Sequence, residues 1–208
     1  MRIWLAALGA ALLTTAAGAR PVSWPGGVTW MQELDPGTGS ALLHYTPNRH
    51  YSVGGRYLRM REEDANLAGA QATWLVKRWN MEGAQANLYL SGLAGAGWRD
   101  GESARPGGFV DAQADWENRR VMLMGMARLT RIDRLGTTDM QLGRIGWAPY
   151  EGDYGDAHLW LFAQLKRDSG MADEVQPALV ARLFYRKLLV EAGVTDRGGL
   201  ILNSQIRF

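Results

Sequence analysis

The sequence predicts an all-β fold: a closed antiparallel up-and-down barrel of about ten strands, built to cross a membrane. Three observations carry that prediction. Apolar and polar residues alternate with period two along most of the chain, the pattern of strands with one greasy and one wet face. Many of these runs reach about ten residues, longer than the usual globular strand and suited to a tilted strand crossing a bilayer. Turn chemistry separates the runs, so they follow one another as hairpins, and closing such a meander removes its exposed edges.

Composition narrows the field. The chain has 208 residues, enough for one domain or two small ones, and a formal net charge of +2, which offers nothing to a nucleic acid. It contains no cysteine, which excludes disulfides, thiolate metal sites and cysteine nucleophiles. Its 26 glycines and 9 tryptophans are high for its length.

Residues 1–19 read as a secretory signal peptide. Arg2 supplies the positive start, residues 3–13 form an uncharged apolar stretch, and Ala17-Gly18-Ala19 gives the small-residue cleavage pattern before Arg20. Residues 20–39 read as an N-terminal lead-in that holds a candidate first strand at 28–35, and residues 40–208 as the barrel domain. Further strand candidates are 40–46 and 50–61. At 70–78, Ala70, Ala72, Trp74 and Val76 oppose Gln71, Thr73 and Lys77. At 84–93, Ala84, Ala86, Leu88 and Leu90 oppose Gln85, Asn87, Tyr89 and Ser91. The segment 95–108, rich in glycine and charge, reads as the one long loop. At 109–117, Val110, Ala112, Ala114 and Trp116 oppose Asp111, Gln113, Asp115 and Glu117. Strands at 119–131, 137–148, 157–166 and 177–190 follow, the last keeping alternation from Leu179 to Leu189. In the closing segment Leu200, Leu202, Ser204, Ile206 and Phe208 share one face, and Ile201, Asn203, Gln205 and Arg207 the other.

Alternation does not say which face points inward. A soluble barrel buries its apolar face, whereas a membrane barrel shows it to lipid. The charges deep within strands (Asp111, Asp115 and Glu117 against Lys77, Arg182, Arg186 and Arg207) favour the second arrangement, with the interior filled by a paired network. Aromatic residues near strand ends (Trp79, Trp98, Trp116, Trp147, Tyr150 and Tyr154) sit where interfacial girdles belong. A soluble periplasmic binding barrel is the competing reading.

A last strand with alternating apolar positions and a terminal phenylalanine resembles the sorting signal of Gram-negative outer-membrane β-barrel proteins. Phe208, Ile206, Leu202 and Leu200 match that pattern. The resemblance implies location in the outer membrane, contact with its lipid, and recognition of the last strand by the barrel assembly machinery. It also implies an even number of strands with both termini in the periplasm, whereas the candidates above number eleven.

Two constellations carry alternative chemistry. Met122, Met124 and Met126 share a strand face, and thioethers are soft ligands suited to copper(I), so a copper-linked protein is one alternative. Yet such residues step by about 6.8 Å along a strand, and methionine more often fills apolar space. His50 and Ser52 also share a face, with Glu63 as a candidate acid, and look similar to the His-x-Ser of the outer-membrane lipid A deacylases. Val53 stands where that family has asparagine. The sequence therefore favours no catalysis and no cofactor, with a structural, binding or narrow-permeation role. The glycine-rich stretch 92–97 matches no phosphate-binding fingerprint and reads as relief of crowding in a curved sheet.

Overall fold

A computed structural model describes residues 21–153, 155–169 and 174–208. The expected signal peptide and Tyr154 lie outside the described residues. Twelve strands are present: β1 (Val28–Leu34), β2 (Thr38–Asn48), β3 (Tyr51–Met60), β4 (Ala65–Met81), β5 (Ala84–Arg99), β6 (Arg105–Asn118), β7 (Val121–Ile132), β8 (Gly136–Trp147), β9 (Ala157–Asp168), β10 (Val175–Tyr185), β11 (Leu188–Thr195) and β12 (Leu200–Arg207). Each pairs antiparallel with its chain neighbours, and β1 pairs with β12 to close the barrel.

The even count comes from one segment. The run read as a single strand at 177–190 is two, broken by a tight turn at Arg186-Lys187 in which Arg186 takes a φ of 54°. The expected long loop at 95–108 shrinks to residues 100–104, because β5 and β6 pair almost to its tip, as far as Gly97 opposite Arg105. The lead-in contributes β1 as a full member of the barrel. At the end that carries both termini, four of the five connections are two-residue turns, at 49–50, 82–83, 119–120 and 186–187. The fifth, 148–156, is the longest connection of all, and those at the other end run from three to six residues.

The apolar face points outward. Leu179 and Leu200 are each 68% exposed, and Val110, Leu129, Ile145 and Leu165 are also exposed on the outer wall. The inner wall buries polar and charged groups, among them Arg56, Asp111, Lys166, Arg182 and Glu191. A soluble barrel would have the reverse, so the outer wall is solvated by lipid. Outward aromatics gather at the terminal end, where Tyr51 stacks on Trp74 with ring centroids 6.5 Å apart and Trp147, Tyr185 and Phe208 stay exposed. Tyr57 and Trp98 mark the other rim.

Two predicted lumenal cations are elsewhere. A bulge between Leu75 and Lys77 flips the facing of β4, so Lys77 points outward near the Trp79 ring while Leu75 stays inside. Arg186 belongs to the turn and lies against Tyr185.

Phe208 takes part in the closing seam. Phe208 N–H donates to the Val28 carbonyl at 2.8 Å, Val28 N–H donates back at 3.3 Å, and the ring stays 63% exposed. Deleting Phe208 is expected to lower the yield of folded barrel several-fold at unchanged synthesis, read from heat-modifiable migration on gels. Normal yield would show that the seam closes without it.

Candidate functional site

The lumen is filled by side chains arranged in charge clusters. In the first, Glu191 on β11 accepts from Arg182 at 2.7 Å (Nε) and 2.6 Å (Nη2), from Arg144 Nη1 at 3.1 Å, and from Asn203 Nδ2 at 2.6 Å. Arg144 Nε also donates to Gln164 at 2.6 Å. The Arg182 guanidinium lies 4.5 Å from the Phe162 ring centroid, a stacked cation in a desolvated place. β8, β10, β11 and β12 thus meet on one carboxylate.

A second cluster joins β6 and β7. Arg128 donates to Asp111 Oδ2 from Nε at 3.2 Å and Nη2 at 3.0 Å, and covers the Phe109 ring at 4.3 Å. In a third, Ser40 Oγ donates to Glu33 at 2.9 Å, while Arg56 Nη1 stands 3.6 Å from the same carboxylate, beyond hydrogen-bond reach. The buried Arg56 Nε and Nη1 have no hydrogen-bond acceptor among the described residues. Asp115 accepts from Asn87 at 2.7 Å, and Asn87 in turn from Arg78 at 2.8 Å.

At the far end, Lys166 on β9 reaches 2.8 Å to Asp35 in the β1–β2 turn. Burial alone would raise the Asp35 carboxyl, but Lys166 and the Thr38 hydrogen bonds outweigh it and hold the group below its ordinary range.

Between these clusters lies a cavity of about 110 Å³. Its charged lining is Arg56, Arg128, Arg144 and Arg182 against Glu33, Asp111 and Glu191: four guanidiniums to three carboxylates. With Arg56 incompletely paired, the cavity carries a surplus of positive donors. A low-dielectric wall strengthens such a field.

The residues singled out from sequence fall as follows. Met122, Met124 and Met126 point inward; Met122 sulfur accepts from Arg182 Nη1 at 3.7 Å, and Met124 and Met126 line the cavity with Met31. Those thioethers sit among guanidiniums, a poor setting for a cation. Ser52 is buried and donates to the Pro21 carbonyl at 2.9 Å, so its hydroxyl has no histidine partner. His50 lies in the exposed turn before β3, its Nε2 accepting from Arg49 at 3.3 Å. Glu63 lies in the turn after β3, at the opposite end of the barrel, where burial raises its carboxyl above the ordinary range. The three candidates for hydrolysis are not brought together. The lumenal residues that sequence reading passed over are Glu33, Arg56, Arg128, Arg144 and Glu191.

No family model and no curated protein matches the chain. Solved structures resemble it, among them two porin structures. A KdgM porin matches with a TM-score of 0.50 and 11% identity over 88% of this chain and 98% of its own. A KdgM porin in complex with disordered oligogalacturonate matches with a TM-score of 0.52 and 10% identity over the same shares. At these identities the likeness is one of fold: a twelve-stranded outer-membrane β-barrel.

Proposed function

We propose that the barrel is a narrow channel of the outer membrane that prefers small anionic solutes. The observation that carries this reading is the cavity of about 110 Å³ midway along the lumen, where guanidiniums outnumber carboxylates and Arg56 keeps two unused donors. A guanidinium fork matches a carboxylate or phosphate, so an anion in transit replaces water there with charge-assisted hydrogen bonds. The dense packing of the rest of the lumen argues against a wide general pore. One barrel of like fold is described in complex with disordered oligogalacturonate, which agrees with this reading. The terminal strand, through Phe208, Ile206, Leu202 and Leu200, is the element we assign to the barrel assembly machinery.

Reconstitution in planar bilayers under a potassium chloride gradient tests the channel. The expected reversal potential has the sign of anion selectivity, and Arg56→Gln is expected to bring the anion-to-cation permeability ratio several-fold closer to one. A cation-selective current, or a ratio indifferent to that substitution, would refute the assignment.

A further inference from the structure

We infer that residues Pro21–Ser23 form a lumenal strap that closes the terminal mouth of the barrel and must withdraw for the channel to open. The sequence builds the reversal that sends them inside. Trp24-Pro25-Gly26-Gly27 has proline and glycine at the two central positions of a type II turn, Gly26 has a φ of 83°, and Gly27 N–H donates to the Trp24 carbonyl at 3.0 Å. The turn is pinned to β2, since Gly26 N–H donates to the Thr46 carbonyl at 2.8 Å and Thr46 N–H to the Gly27 carbonyl at 2.9 Å. Trp24 remains 43% exposed, whereas Val22, two residues earlier, is only 3% exposed.

Val22 sits inside the barrel against Leu75 and Tyr89, two inward side chains of β4 and β5. The bulge after Leu75 leaves that leucine inward while turning Lys77 out, so the pocket for Val22 has an apolar floor. Pro21 goes deeper and lines the central cavity beside Gln71 and Ser91. Three extended residues reach about 10 Å, enough to run from rim to cavity.

The hold is light and polar at its edges. Ser52 Oγ donates to the Pro21 carbonyl at 2.9 Å and Ser23 N–H to Thr46 Oγ1 at 3.3 Å, with no strand pairing beyond them among the described residues. A segment that, among the described residues, is anchored by one valine and two side-chain hydrogen bonds is of the low-stability kind from which gates are drawn. Cleavage after Ala19, expected from the sequence, gives it the free end that withdrawal needs.

This gating rests on the channel reading, and the native lack of cysteine allows the two to be separated. In Val22→Cys/Leu75→Cys, oxidation is expected to lock the strap and abolish most single-channel conductance, and reduction to restore it. Deleting residues 21–23 is expected to raise conductance several-fold. Equal conductance in locked, reduced and deleted forms, each shown to be folded by heat-modifiable migration, would overturn the strap. If no form conducts, the channel reading fails, and labelling of Leu75→Cys with a membrane-impermeant maleimide decides the strap alone. Several-fold faster labelling after the deletion supports it, and an unchanged rate sinks it.

Discussion

Replacing Glu191 with leucine is expected to destabilise the folded barrel by about 3–5 kcal/mol, the cost of removing one partner from a buried ion pair. The carboxylate is 3% exposed and is the shared acceptor for Arg182, Arg144 and Asn203. Without it, Arg182 keeps a stacked ring and a sulfur acceptor but no counter-charge, with its side chain only 4% exposed. The measurement is the shift in the urea midpoint for barrel folded in liposomes. Glu191→Gln retains an acceptor and is expected to lose less. Glu191→Leu/Arg182→Met removes the carboxylate together with the guanidinium most closely paired to it and is expected to recover much of the loss, while Arg144 still donates to Gln164. A double variant as unstable as Glu191→Leu would mean that the carboxylate matters for shape rather than for charge.

That cluster also shows where reading the sequence reached its limit. Alternation placed the outward faces of β6 and β12 correctly, and it gave the closed barrel, because period two survives whatever the neighbours are. It failed at two places where the backbone leaves the ladder. The turn at Arg186-Lys187 uses no glycine, asparagine or proline, so the apolar rhythm of β10 seemed to run on into β11, and Glu191 lay beyond the apparent strand. Leu189 was thereby given the face of Leu179, whereas it is buried inside. At Val76 the bulge inverted Lys77 with no mark in composition. One signal was legible and unused: Met122, Met124 and Met126 share parity with Arg128 and Thr130, which already ties the methionines to the polar, lumenal face. What alternation does not carry is which strands meet across the barrel. The pairing of Lys166 with Asp35 depends on closure, not on local pattern.

Gly95→Val is expected to be the most damaging single substitution in the β4–β5 wall, and the control that proves why lies one hairpin away. Gly95 faces Gly69 directly in the register of those strands. A Cβ on Gly95 would stand 2.0 Å from the Ala68 carbonyl oxygen and 2.5 Å from Gly69 Cα, and one on Gly69 would stand 2.4 Å from the Ala94 oxygen. The obstacles are backbone atoms held by the ladder, so no side chain can turn aside. Both glycines face the lumen, on the same parity as the buried Leu67 and Leu93. Overpacking of this kind costs about 1–3 kcal/mol even in cores that can adjust, and this site has less freedom to adjust. Gly125 and Gly143 also face each other, on β7 and β8, but they point out of the convex side, where an added Cβ meets nothing within 4 Å. Gly125→Ala is therefore expected to leave folding intact, with a gain of up to about 1 kcal/mol from a stiffer unfolded chain. Urea midpoints of Gly95→Val, Gly95→Ala and Gly125→Ala should fall in that order, lowest first. Equal losses at Gly95 and Gly125 would mean that strand propensity, not close approach of the neighbouring backbone, sets the requirement for glycine.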